Sequence, residues 1–296
     1  MPMEKTYQPA EVEGRIRLND RVAAHVPGFG RYGKQDITIR HLLTHVSGLR
    51  PDLDLNVPFE GYAKAIELAT EEVPEAPPGQ RFVYSDINFF LLGDIVARVS
   101  GEPLEVFART QVFDPLGMKS SVTSIRSLGS MSDVATPHAE VDDTIRPVPY
   151  FNLDVIAPAG SINSSVLDMA QWVRFQLAGG KVAGKTLVSA AAFGETHTPQ
   201  TIMPLEGFWK IAVQDAHLLN YAMGWYLHDY KGRLIVQHGG NIDGMSALVA
   251  LLPEERTGLV VLTNLDGNEL TYALMYRVFD AYLKQPPTDW SNIMLK

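Results

Sequence analysis

RLIVQHGGNIDGMSALVALLPEERTGLVVLTN, residues 233–264, is the stretch that decides the fold. Three apolar, β-branched-rich runs, RLIVQHGG, MSALVALLP and GLVVLTN, are separated by Asn-Ile-Asp-Gly and Glu-Arg-Thr-Gly. Short apolar runs punctuated by glycine turns read as neighbouring antiparallel strands. AMGWYLHDY (222–230), followed by Lys231-Gly232, adds another run upstream, so the texture after about 220 is a meander. ELTYALMYRVFDAYL (269–283) closes it as an amphipathic helix.

Working outward, the earlier part of the chain is mostly helical. TIRHLLTHVSG (38–48) reads as a short helix capped by Thr38, with Leu42, Leu43 and Val46 on one face and Gly48 as the stop. EGYAKAIELAT, around 60–70, is a second. The helix at 88–100 is marked by Phe89, Leu92, Ile95, Val96 and Val99 at helical spacing, by an Asp94–Arg98 pair and by Gly101 behind it. PLEVFARTQVF follows with Pro103 in its first turn. Ser165 and Asp168 form a capping-box pattern opening a helix that Gly179 and Gly180 end. Helices gathered in one half and strands in the other predict an α+β fold: an antiparallel sheet flanked by helices plus an all-helical sub-domain. The expected layout is one domain over 1–296, with a helical part at about 35–200, sheet plus C-terminal helix at about 220–284, and a linker-like tail at 285–296.

Bulk composition narrows the functions. Hydrophobic residues make up 46% and charged residues 20% of 296, ordinary for a globular protein. Lys and Arg total 25 against 34 Asp and Glu, and an acidic chain without basic clusters argues against nucleic acid or an anionic membrane surface. With no cysteine there is no disulfide, thiolate metal site or cysteine nucleophile. No apolar run approaches a membrane span. The charged N-terminus does not read as a signal peptide, and the compartment stays open.

Three places carry candidate chemistry. Tyr84-Ser85-Asp86 sits where a loop enters a helix, a position that favours negative charge, and a phenol there could act as a base beside a cation. The competing reading is a turn with a tyrosine packed behind it. His238-Gly239-Gly240 puts an imidazole beside two glycines that let a substrate backbone approach and expose an N–H to a developing oxyanion. The competing reading is a strand-end histidine before a tight turn. His41 and His45 stand at metal-ligand spacing, but no carboxylate or third ligand accompanies them, so core and cap hydrogen bonding is the expectation.

Taken in order, ITIRHLLTHVSGL, FVYSDINFFLLGDIVARVSG, PAGSINSSVLDMAQW and QHGGNIDGMSALVALLPEERTGLVVLTN resemble the serine β-lactamase and penicillin-binding-protein superfamily. The similarity is to its class C-like branch, which holds esterases and D-amino-acid peptidases, and runs from about Glu13 to about Leu283. The resemblance implies that Tyr84 shuttles the proton to and from a nucleophile and that Asp86 orients substrate or Tyr84. It implies that Ser85, Gly239 and Gly240 line the substrate. His238-Gly239-Gly240 stands at the strand that reads Lys-Thr-Gly in true β-lactamases, with the Asn241 N–H at an oxyanion position. The implied substrate is a small ester, peptide or lactam, with no cofactor, and family members are often exported. One departure is plain: no serine here is followed three residues on by lysine, the family's nucleophile motif. The expectation is therefore a truncated, weakly active or inactive serine hydrolase. It would lack the first two sheet strands and leave GLVVLTN as an apolar edge that invites pairing with another chain. The alternative is a non-catalytic descendant that binds a peptide, a glycan or a partner strand.

Overall fold

A computed structural model describes residues 14–51, 61–154, 157–213 and 215–294. The expected absence of N-terminal strands concerns residues before Gly14, outside the described residues. The described residues cluster into two units, one from 14–115 with 154–161 and one from 116–153 with 162–294.

The first unit is helical. Helix α1 (Ile39–Leu43) starts at Thr38, whose hydroxyl accepts from the His41 N–H while His41 Nδ1 accepts from the Thr38 N–H. The pattern predicted a longer helix; it stops at Leu43, and His45 turns into the left-handed region at φ 54°. Helix α2 (Tyr62–Glu71) ends on a buried lysine, with Lys34 Nζ donating to the Thr70 carbonyl at 2.7 Å and to that of Glu72. A cation at a helix C-terminus meets the carbonyls that have no partner within the helix. Burial lowers the Lys34 pKa, and Glu72 and Glu71 oppose the shift.

Helix α3 (Asp86–Ser100) begins two residues earlier than its pattern suggested and ends on left-handed Gly101, with Arg98 Nε donating to Asp94 at 2.6 Å. Its buried face is also rotated from the expected one. Ile87, Asn88, Phe90, Leu91, Gly93 and Ile95 face inward, while Phe89, Leu92, Val96 and Val99 are half-buried. Gly93 is inside because a Cβ there would lie 2.2 Å from Pro158 of α6 (Ala157–Gly160), reached after α4 (Leu104–Ala108), a π-helical stretch at Arg109–Phe113 and α5 (Asp114–Leu116). Val22, Phe29, Ile37, Leu42, Leu49, Ala65, Ile87 and Leu91 form the core of this unit.

In the second unit, hairpin β1 (His138–Val141) and β2 (Thr144–Pro147) precedes helix α7 (Val166–Leu177). Ser165 caps α7 by accepting from the Asp168 N–H, but the capping box is not closed: the Asp168 carboxylate accepts from Ser120 N and Ser121 Oγ instead. A small hairpin, β3 (Lys181–Val182) and β4 (Lys185–Thr186), leads to α8 (Ala190–Thr196). Then come β5 (Thr201–Met203), α9 (Phe208–Ala212), β6 (Leu219–Tyr221), β7 (Tyr226–Tyr230), β8 (Arg233–Ile242), β9 (Met245–Leu252) and β10 (Thr257–Thr263). The last six strands form one antiparallel sheet in the order β10-β9-β8-β7-β6-β5; β7 to β10 are the meander read from the sequence, and β5 and β6, not read there, extend it.

Alternation gives this sheet two apolar faces. Ile235, Leu248, Ala250 and Leu252 pack with Tyr272, Met275, Tyr276 and Phe279 of α10 (Leu270–Tyr282). Val236, Leu251 and Leu227 pack with Val173 and Trp225, so α7 belongs with the sheet and not with the helical half where the sequence division had put it. The tail expected to be linker-like also joins this core. Its helix α11 (Trp290–Met294) buries Trp290 and Met294, and Trp290 Nε1 donates to Asp280 at 2.6 Å. Among the described residues, no helix is long and apolar enough to cross a membrane.

Candidate active site

In the first unit the candidate groups are carried by two crossing segments, 45–51 and 82–88. Val83 N–H donates to the His45 carbonyl at 2.8 Å, Ser85 N–H to His45 Nδ1 at 3.0 Å, and Asp86 N–H to the Pro51 carbonyl at 2.9 Å. Ser85 is fully buried and its hydroxyl donates to the Arg50 carbonyl at 2.6 Å, so it pins the loop and does not cap α3. That burial and that bond are at odds with the substrate contact the resemblance implies for Ser85. Gly48 is required in the lower segment: its φ is +81° and a Cβ would lie 1.9 Å from the Ala76 carbonyl oxygen. Asp86 occupies the first turn of α3. Tyr84 is 38% exposed, with its ring lying on the His45 imidazole at a centroid distance of 4.2 Å and 29° between planes. The loop presents Tyr84 and keeps Ser85 inside.

His41 and His45 do not converge as ligands. His41 completes the α1 cap, and His45 is buried between Ser85 and Asn88. Among the described residues, no group of three metal-ligating side chains exists.

In the second unit the candidates lie on β8. Strand β7 pairs with β8 only from Arg233 to Gln237, whereas β9 pairs with it as far as Ile242. The five residues His238–Ile242 therefore overhang β7, and among the described residues no strand pairs with that edge. The two glycines differ. A Cβ on Gly239 would meet the Tyr272 hydroxyl at 3.2 Å, so close approach of α10 accounts for that glycine. A Cβ on Gly240 would meet nothing within 4 Å among the described residues. Open space beside an exposed backbone is the feature a ligand needs.

The His238 ring lies near Tyr226 and Tyr221, at centroid distances of 5.1 and 6.2 Å. Its Nδ1 stands 2.6 Å from the Gly239 carbonyl, which can only accept, so Nδ1 carries the proton and Nε2 is the acceptor facing the Tyr221 hydroxyl at 3.4 Å. Burial lowers its pKa, the Gly239 carbonyl opposing, so the imidazole is neutral at neutral pH. Asn241 uses its side chain structurally: Nδ2 donates to Asp266, and Oδ1 accepts from Ser246 Oγ and Gly267 N. That leaves only its backbone for substrate. The turn beyond is buttressed by β1, where His138 N–H donates to the Gly244 carbonyl at 3.1 Å.

Sequence reasoning missed three supports: His45 under Tyr84, Asn88 behind it and Tyr272 under Gly239. The readable signal for the first was Gly48, a glycine in THVSG beyond what a helix stop needs. Tyr272 carried no signal, because its place under Gly239 depends on how α10 lies on the sheet.

The chain matches the family model described as Beta-lactamase over residues 10–282. Protein flp of Staphylococcus aureus (strain MW2) is 27% identical over 262 residues, covering 86% of this chain and 49% of that protein. The unguisins hydrolase of Aspergillus violaceofuscus is 25% identical over 276 residues, covering 86% of this chain and 48% of that protein. The octameric penicillin-binding protein homologue from Pyrococcus abyssi matches with a TM-score of 0.81 at 25% identity, over 93% of this chain and 62% of that one. The chain thus spans about half the length of these curated relatives.

Proposed function

The chain belongs to the beta-lactamase family, within the serine β-lactamase and penicillin-binding-protein superfamily, and on that premise we propose that it serves hydrolysis of an ester, a D-amino peptide or a lactam. The observation that carries this reading is the overhang of β8: an extended substrate backbone adds to His238–Ile242 as a further strand, with the space at Gly240 for its approach. Asn241 N–H takes the developing oxyanion. For Tyr84, carried by the first unit, the family resemblance supplies the role: proton transfer from an attacking water to the leaving group. The neutral His238 offers no fixed positive charge to grip a carboxylate, which favours a substrate with no carboxylate at that point, such as an ester, over a β-lactam.

A second reading is favoured by the sequence, in which no serine is followed three residues on by lysine. There the same edge binds a peptide, a glycan or a partner strand without turnover. Calorimetry with an acyl-D-amino peptide and turnover of a nitrophenyl ester separate the two. Under the first reading the purified chain binds the peptide saturably and turns the ester over weakly, on the order of 10³-fold above water, as acyl-transfer sites do without their attacking group. Tyr84→Phe lowers that turnover. Binding with no turnover and no fluorophosphonate label selects the second reading, and absence of binding rejects both.

Self-association belongs to the same proposal. Strand β10 pairs only with β9 among the described residues, its residues Thr257–Thr263 carry no charge, and Leu262 is 42% exposed. Uncharged edges pair with one another, and the Pyrococcus abyssi homologue is octameric. Leu262→Lys should lower the mass measured by light scattering. An unchanged oligomer, or a wild-type monomer, removes this part of the proposal.

A further inference from the structure

We propose that His45 is the positioning residue for Tyr84, holding the phenol in one plane through a single neutral imidazole. The inference rests on Tyr84 being the proton shuttle of the reading above, but its geometry stands independently. Three contacts converge on His45 from one short stretch. The residue before Tyr84 donates its N–H to the His45 carbonyl, from Val83 at 2.8 Å. The residue after it donates its N–H to His45 Nδ1, from Ser85 at 3.0 Å. Tyr84 itself stacks on the imidazole face at 4.2 Å. A phenol can swing about its side-chain torsions only as far as its ring contacts and flanking backbone allow, and here both are tied to the same residue.

The protonation state of that imidazole follows from its partners. A backbone N–H can only donate, so Nδ1 must be the acceptor and the ring proton sits on Nε2. Asn88 fits the assignment. With Nδ1 an acceptor, the Asn88 amide turns its Nδ2 toward it at 3.2 Å and its Oδ1 toward the Ser47 hydroxyl at 2.7 Å. Ser47, Asn88, His45 and Ser85 thus form one fixed relay of hydrogen bonds beneath the tyrosine, buried throughout.

The backbone of His45 points the same way. Its φ of 54° is the left-handed region, which costs most residues with a Cβ roughly 1 kcal/mol and which asparagine, aspartate and histidine adopt most readily. Glycine would fit that backbone without strain. The sequence instead holds an imidazole there, and the imidazole is what Ser85, Asn88 and Tyr84 all contact.

The test uses the full chain and two variants. In wild-type protein, the imidazole nitrogen shifts of His45 should report the Nε2–H tautomer; the Nδ1–H tautomer overturns the proposal without any substitution. With ring-labelled tyrosine, and the Tyr84 signal identified by its loss in Tyr84→Phe, wild-type Tyr84 should show one upfield-shifted, ring-current-affected resonance. His45→Phe keeps a stacking ring but removes the Nδ1 acceptor, so Tyr84 should broaden or split while circular dichroism stays unchanged. His45→Asn suits the left-handed backbone and offers an acceptor oxygen, so Ser85 N–H protection from exchange should recover while the upfield shift is lost. A Tyr84 resonance unmoved in both variants overturns the proposal. If Tyr84 moves as expected but Tyr84→Phe leaves ester turnover intact, the positioning stands and the proton-shuttle reading falls.

Discussion

The two candidate regions hold their groups by different means. Around Tyr84, two loop segments are laced by Val83, Ser85 and Asp86 N–H bonds and by the Ser85 hydroxyl, with Gly48 letting the chains close. Around His238 the ladder does the holding. Register with β9 places each residue, and the opposite edge is left open beyond Gln237. The first arrangement fixes one side chain and exposes little backbone. The second exposes backbone and leaves its side chains to pack against Tyr221, Tyr226 and Tyr272. A residue that must present a phenol needs tethering on both flanks, whereas a surface that must accept an extended chain needs regular spacing and an empty edge.

The sharpest way to break this contrast is at the glycines. Gly48→Ala forces a Cβ into the Ala76 carbonyl from a left-handed backbone. It should destabilise the chain by about 3 kcal/mol in urea unfolding, combining overpacking with backbone strain. A loss below about 1 kcal/mol would mean the 45–51 segment is not held as described.

Acid probes the sheet unit from beneath. His228 is buried beside Tyr276, and burial lowers its pKa to about 4. His197, against Phe193 and Trp225, is likewise lowered to about 4. A group whose folded pKa lies below its unfolded value near 6.5 stabilises fully above 6.5 and loses that contribution as pH falls toward 4. Stability should therefore decline between pH 6.5 and 4, by up to roughly 3 kcal/mol for His228. His228→Phe should flatten that slope in denaturant titrations at a series of pH values; an equally steep variant would assign the acid sensitivity elsewhere.

Gly240→Val tests the open edge itself with a smaller effect. The added Cβ meets nothing within 4 Å among the described residues, so unfolding midpoints should barely move. Peptide binding should weaken about tenfold, near 1.4 kcal/mol. Equal binding by the variant would show that substrate does not use this edge.

Much of this was legible in the primary structure, for local reasons. The apolar runs and glycine turns of 233–264 specify strands whatever surrounds them, because pleat period and turn chemistry act over a few residues. Thr38, Ser165 and Gly101 marked helix ends for the same reason. Misreadings arose where a distant element intervened. The inward face of α3 was rotated because α6 docks at Gly93. The Ser165–Asp168 box stayed half-made because Ser120 and Ser121 claimed the carboxylate. The tail became α11 because α10 offered Asp280 to Trp290.

Sequence alone thus determined the antiparallel run of the last four strands and the family, since each rests on patterns a few residues long. Only the tertiary structure decided that Gly239 serves α10 while Gly240 is open, that Ser85 is a buried pin and that His45 lies under Tyr84. Those outcomes depend on contacts between residues dozens of positions apart, which no local periodicity records.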